Sequence, residues 1–102
     1  MRKITSEVCS AFRNYESFRS GNDVVEYKDV FGVMVKEMSY RGNVIARKVT
    51  GQGLKITNAG WATTTTKERL NGLDDVSIVQ KKGVWYLNGK VWGGEWVFVN
   101  NF

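Results

Sequence analysis

The sequence predicts an α+β fold: an antiparallel β-sheet of about six or seven strands with an N-terminal helix and a short second helix. Three observations carry this prediction. Apolar residues near the start recur every three or four positions, which is helical spacing. From Val24 onward the period changes to two, and β-branched and aromatic residues dominate. The runs are separated by a few turn residues each, and such short connections join only antiparallel neighbours, since a parallel pair needs a crossover of about a dozen residues or more.

Ile4, Val8, Ala11, Phe12, Tyr15 and Phe18 form one stripe of a helix expected from Thr5 to Phe18. Thr5 is the expected N-cap, Glu7 suits the positive end of the helix dipole, and Ser6, Ser10, Arg13 and Ser17 occupy the opposite face. Ser20-Gly21-Asn22-Asp23 supplies a turn. Strands are expected at Val24 to Lys28, Gly32 to Tyr40, Val44 to Val49 and Leu54 to Thr57. Their separators, Asp29-Val30-Phe31, Arg41-Gly42-Asn43 and Thr50-Gly51-Gln52-Gly53, make the four a meander.

Ala59-Gly60-Trp61 interrupts the sheet, and Thr65 followed by Glu68 fits a capping box opening a short helix from about Thr66 to Asn71. Gly72 suits a left-handed C-terminal position. Strands follow at Val76 to Lys81, at Val84 to Leu87 and at Trp92 or Glu95 to Val99. Lys82-Gly83 and Asn88-Gly89 are hairpin turns, in which both central residues take positive φ.

With 102 residues, no proline and no low-complexity linker, the chain reads as a single α+β domain spanning 1–102. Hydrophobic residues make up 42% of it, enough for one ordinary core and too little for two. Cys9 is the only cysteine, so no disulfide can close within the chain, and its place on the helical stripe predicts a buried thiol. After the basic Met1-Arg2-Lys3, the residues Ile4 to Val8 include hydroxyls and an acid where a secretory signal needs an apolar run. No stretch approaches the roughly twenty apolar residues of a membrane span. The expectation is a soluble, intracellular protein without membrane attachment.

There is no histidine, which removes the commonest general base, the usual catalytic zinc ligands and every nucleophile–histidine pair. Gly51-Gln52-Gly53 is too short for a phosphate-cradling loop and enters a strand. Carboxylate chemistry survives as the least favoured alternative, a magnesium-dependent nuclease using Asp74, Asp75 and Glu68, with Glu26 and Asp29 a second close pair. The expectation is a protein that is not an enzyme, with no catalytic residue, metal site or cofactor assigned.

What the composition favours is binding. Fifteen Lys and Arg against 10 Asp and Glu give a formal charge of +5, and such an excess attracts polyanions. Two clusters carry the candidate anion or nucleic-acid site. At the second helix start, Thr63, Thr64 and Thr66 offer hydroxyls beside Lys67 and Arg69. In the final hairpins, Lys81, Lys82 and Lys90 lie among Trp85, Tyr86 and Trp92, residue types that stack on bases. Alternation places Trp85 and Leu87 on one strand face as core, leaving Tyr86, Trp92 or Trp96 as the aromatics expected to be exposed.

The texts Gly42-Asn43-Val44-Ile45-Ala46-Arg47, Asn58-Ala59-Gly60-Trp61 with Thr63 to Asn71, and Gln80 to Lys90 are specific as motifs. They resemble a family of small tailed-bacteriophage proteins, over roughly Val24 to Trp96. One departure is Gly93-Gly94, where the resemblance leads one to expect an acid followed by glycine. The resemblance transfers no catalytic or binding residue. It implies a phage product acting inside a bacterium: a non-enzymatic accessory protein that binds nucleic acid, or a host nucleic-acid-processing or defence protein, CRISPR-type systems included. A sponge that sequesters a nucleotide at the threonine-rich helix start is the alternative, and edge strands make a homodimer the expected assembly.

Overall fold

The computed structural model describes residues 2–101. Helix α1 runs Lys3–Arg13, followed by strands β1 Phe18–Ser20, β2 Asp23–Val30, β3 Val33–Tyr40, β4 Asn43–Val49 and β5 Leu54–Ile56. Helix α2 is Thr64–Asn71, and β6 Ile78–Lys81, β7 Val84–Leu87, β8 Lys90–Val91, β9 Val97–Phe98 and a short 3-10 turn Val99–Asn101 complete the order. The fold is α+β as expected, but its strands divide between two antiparallel sheets: six in the order β1-β2-β3-β4-β5-β9 and three in the order β6-β7-β8.

The large sheet grows by hairpins, as the short separators require. Phe31 and Gly32, and then Arg41 and Gly42, take positive φ at the tips of β2-β3 and β3-β4, matching the right-handed twist of the flanking strands. The first of these turns sits later than expected, so β2 reaches Val30. Its inner face carries Val25, Met38, Ile45 and Ile56, each almost fully buried against Val8, Ala11 and Phe12 of α1.

Helix α1 differs from the sequence expectation at both ends. It stops at Arg13 because Tyr15 adopts φ 58, and Phe18 belongs to β1, paired with Val25. Thr5 is not the N-cap. It lies inside the first turns, fully buried, where its hydroxyl donates to Glu68 and accepts from Arg69. Glu68 is therefore unavailable for a capping box with Thr65. Thr63 caps α2 instead, its hydroxyl oxygen accepting the Thr66 N–H at 3.2 Å.

Gly72 keeps a right-handed φ of −81, so the left-handed cap is absent. Glycine is required there for space, since a Cβ would stand 2.5 Å from Cys9 Sγ. Two asparagines then dock the small sheet. Asn71 Nδ2 donates to the Ile78 carbonyl at 3.0 Å while its Oδ1 accepts the Ile78 N–H at 2.6 Å. Asn88 accepts from the Ser77 N–H at 2.9 Å and donates to the Asp75 carbonyl at 3.0 Å.

The final strand is β9, shorter than expected, and it returns to the large sheet beside β5, pairing Ile56 with Val97. The chain crosses back at Gly94, whose carbonyl accepts from Thr57 Oγ1 at 2.6 Å and from the Asn58 N–H at 2.9 Å. Gly94 has φ 93 and its Cα lies against the Asn58 side chain, leaving no room for a Cβ. The glycine the crossover needs is therefore the one the resemblance leads one to expect, and the departure is confined to Gly93. Among the described residues no helix is long and apolar enough to cross a membrane.

The reassigned N-cap has a direct test in equilibrium urea unfolding. Thr63→Ala is expected to destabilise the protein by about 1 kcal/mol, the usual cost of removing a capping hydroxyl. Thr65→Ala is expected to change it by less than about 0.5 kcal/mol, as at an ordinary surface position.

Candidate functional site

The structure separates the candidate residues into three environments. Arg69 is the innermost, only 3% exposed. Its Nε and Nη2 grip the two carboxylate oxygens of Asp23 at 2.6 and 3.3 Å, while Nη1 donates to Thr5 Oγ1 and to Glu68 Oε1 at 3.2 Å. The Tyr40 ring lies 5.5 Å from the guanidinium carbon. Burial pushes the Arg69 pKa down, but the hydrogen bond and charge of Asp23 outweigh it and hold the value above its usual level. A guanidinium so enclosed has no donor facing solvent, which corrects its expected place in an anion site.

The threonines at the start of α2 are also engaged. Thr63 Oγ1 donates to Thr66 Oγ1 at 3.0 Å as well as capping, and Thr66 is buried. Arg2 Nη2 reaches Thr65 Oγ1 at 3.4 Å and Arg2 Nε spans both Glu68 oxygens at 3.1 and 3.2 Å. The Thr5 hydroxyl, with Arg2 and Arg69 beside it, holds the Glu68 carboxyl below the ordinary carboxylate range. Thr64 is exposed, and Thr63, Thr65 and Thr66 line a small cavity of about 100 Å³ beside Tyr40 and Trp61, which Thr64, Lys67 and Arg69 do not line.

The lysines are different. Lys81, Lys82 and Lys90 are exposed, and half-buried Lys67 donates from Nζ to Gln80 Oε1 at 3.2 Å at the edge of β6. They surround the small sheet, which has two unlike faces. Ile78, Trp85 and Leu87 point inward and are buried, with the Trp85 ring 6.2 Å from that of Trp92 and tilted 39° to it. The register pairs Val79 with Tyr86 and Tyr86 with Val91, so these three form a row across the outward face. Val79 and Val91 are exposed, and Lys81 Nζ sits 6.0 Å above the Tyr86 ring. From Val76 to Gly94 the chain carries Lys81, Lys82 and Lys90 and no acidic residue.

Of the aromatics expected at the surface, Tyr86 is half-buried on this face and Trp96 is 44% exposed, whereas Trp92 is only 3% exposed. Its indole N–H donates to the Glu95 carbonyl at 3.0 Å, an internal partner that Gly93 and Gly94 bring within reach. Trp61, at 56%, is the most exposed tryptophan and was not foreseen. The acids Asp74, Asp75 and Glu68 do not converge: Asp74 pairs with Arg13 at 3.3 Å, and Glu68 with Arg2 and Arg69. Among the described residues no three of Cys, Asp and Glu are gathered as metal ligands would be. Cys9 is buried as expected, its Sγ donating to the Arg69 carbonyl at 3.3 Å and its pKa pushed up to about 11 by burial.

Sequence reasoning missed Lys36. It lies on the inward face of β3 with Met38, is 5% exposed, and donates from Nζ to the Phe12 carbonyl at 2.7 Å. The period of two that places Met38 inside also places Lys36 there, so the signal was present in the strand text.

Residues 1–102 match the model of a family described as Kyanoviridae Gp96 protein. No curated protein and no solved structure matches the chain.

The lowered Glu68 pKa predicts a pH signature. A carboxyl whose folded value lies below its usual 4.5 adds stability above the unfolded value, and this is lost as pH falls through the folded one. Glu68→Gln should therefore lower stability at neutral pH and make progressively less difference as acid protonates the wild-type carboxylate, measured by urea unfolding across the acid range.

Proposed function

Because the chain belongs to the Kyanoviridae Gp96 protein family, a family of phage proteins, we propose that it is a phage accessory protein that binds single-stranded nucleic acid on the outward face of its small sheet. The observation that carries this reading is the row Val79, Tyr86 and Val91 with lysines around it and no acid between Val76 and Gly94. A tyrosine ring held between two valines offers a flat surface on which a base can stack whatever its sequence. Unpaired bases present that π-face, whereas a duplex keeps its bases stacked inside, so the single strand is the form this face suits.

The lysines supply the second component. Lys81 and Lys82 sit at the β6-β7 turn and Lys90 beside the β7-β8 turn, at opposite ends of β7. Lys81, opposite Val84, shares the face of Tyr86, whereas Lys90 is opposite inward-facing Leu87, so a backbone crossing the tyrosine meets its positive charge at the β6-β7 end. Lys67, bonded to Gln80 opposite inward-facing Trp85, adds charge at the edge of the sheet behind the tyrosine face. Arg69, Thr63 and Thr66 contribute by holding α2 and so positioning Lys67. This division assigns contact to Tyr86, Lys81 and Lys82, with Lys67 and Lys90 adding long-range positive charge and no catalytic role for any of them.

Fluorescence anisotropy with labelled single-stranded DNA, single-stranded RNA and duplex DNA tests the reading. Single strands should bind at low salt and weaken steeply as salt rises. Tyr86→Ala should lose about 1 to 3 kcal/mol of affinity. Replacing Lys81 and Lys82 together by alanine should flatten the log–log salt slope by about 1.4, the loss of two phosphate contacts on a single strand. Absence of binding to every oligonucleotide at low salt would overturn the proposal and leave this face to a host protein partner.

A further inference from the structure

The geometry points to a second site, a cleft between α1 and the large sheet that receives a small molecule carrying one compact anionic group, carboxylate or phosphate, on an apolar body. The cleft has a volume of about 570 Å³, within the range of about 300 to 1,000 Å³ usual for small-molecule sites. It shares no residue with the lysine-rimmed face, and its assignment does not depend on nucleic-acid binding.

Its charge arrangement is unusual for a fold left to itself. Lys36 of β3 and Lys48 of β4 are direct cross-strand partners, and both line the cleft. Like charges directly opposite on antiparallel strands destabilise the pair, and sheets ordinarily place opposite charges or apolar residues there. Like charges also face each other at Glu26 with Glu37 and at Arg47 with Lys55, but there Arg19, Lys28 and the Glu37–Arg47 bond at 2.8 Å supply opposite charge to at least one member of each pair. Among the described residues, neither Lys36 nor Lys48 makes an ion pair with a carboxylate.

Each ammonium is instead held by a backbone carbonyl, Lys36 by Phe12 at 2.7 Å and Lys48 by Gln52 at 2.8 Å. The Phe12 bond explains part of the placement of Lys36, since that carbonyl belongs to the last turn of α1, where a cation complements the dipole. It does not explain the second lysine. An ammonium has three donors; beyond its carbonyl, Lys36 Nζ also faces the Phe12 and Tyr15 rings, while for Lys48 the one carbonyl leaves two N–H groups for another acceptor. Burial and the nearby Lys48 push the Lys36 pKa down, with Asp74 opposing them and Arg13 adding to them.

The remaining lining fixes the rest of the ligand. Phe12 and Tyr15 place their rings 4.5 and 4.0 Å from Lys36 Nζ, and Leu54, Leu73 and Val99 add apolar wall. Asp74 and Asp75 also line the cleft, with Asp74 held by Arg13 at 3.3 Å. Two carboxylates in the same space disfavour a polyanion and suit a ligand whose charge is confined to one end. An anionic head between Lys36 and Lys48 would gain charge-assisted hydrogen bonds from both, and its body would cover the aromatic wall.

Titrating the full chain with phenyl phosphate, benzoate and inorganic phosphate, while following the lysine ε-methylene and Tyr15 ring signals by NMR, tests this. Phenyl phosphate, benzoate or both should shift the Lys36, Lys48 and Tyr15 signals saturably, and the one that binds identifies the head group. Inorganic phosphate should bind at least about tenfold more weakly, lacking the apolar body. Lys48→Gln, at a half-exposed position, should keep the fold and weaken the ligand by about tenfold or more, the worth of one hydrogen bond to a charged group. Absence of saturable shifts at both lysines with all three probes, or unchanged affinity in Lys48→Gln, would overturn the site.

Discussion

The structure depends on one buried ion pair, Arg69 with Asp23. Arg69 belongs to α2 and Asp23 opens β2, while Thr5 of α1 and Tyr40 at the end of β3 complete the shell around the guanidinium. Four elements that are distant in the chain therefore meet at one planar cation. Such a pair adds little by Coulomb attraction once desolvation is counted, but it punishes the loss of either member heavily, because the survivor is then a buried charge without a partner. Its role is to allow one arrangement of α1, α2 and the large sheet and to penalise others.

This clamp also divides the labour along α2. The helix supplies Arg69, Thr66 and Leu70 to the interior and Asn71 to the backbone of β6, so the small sheet is carried on a fixed support. Positive charge that might have served binding at the helix start is consumed by construction. Among the cations at the surface are Lys81, Lys82 and Lys90 of the small sheet, whose inner side, with Trp85 and Leu87, is packed into the core.

Much of the fold was legible in the sequence because its signals are local. Arg41-Gly42, Lys82-Gly83 and Asn88-Gly89 announce turns through residues that accept positive φ, and the inward placement of Trp85 follows from alternation. What was not legible rests on partners far along the chain. Thr5 reads as a cap until Arg69, 64 positions later, is seen to need its hydroxyl. Thr65 with Glu68 fits a capping box until Arg2 and Thr5 claim the carboxylate. The division into two sheets turns on β9 returning to β5, which no local pattern encodes. The lysine face was partly readable, as a cluster of cations near a tyrosine. The cleft was not, because the pairing of Lys36 with Lys48 is a matter of register.

The claim that Arg69 and Asp23 act as a unit inside the fold is tested most directly by a double-mutant cycle, with Asp23→Ala, Arg69→Met and the combined variant compared by urea unfolding at neutral pH. Each single change should cost about 3 to 5 kcal/mol, and the combined loss should fall short of their sum by about 2 kcal/mol or more, since the second change removes the charge the first left stranded. Losses that add to within about 0.5 kcal/mol would show two independent side chains and contradict the account.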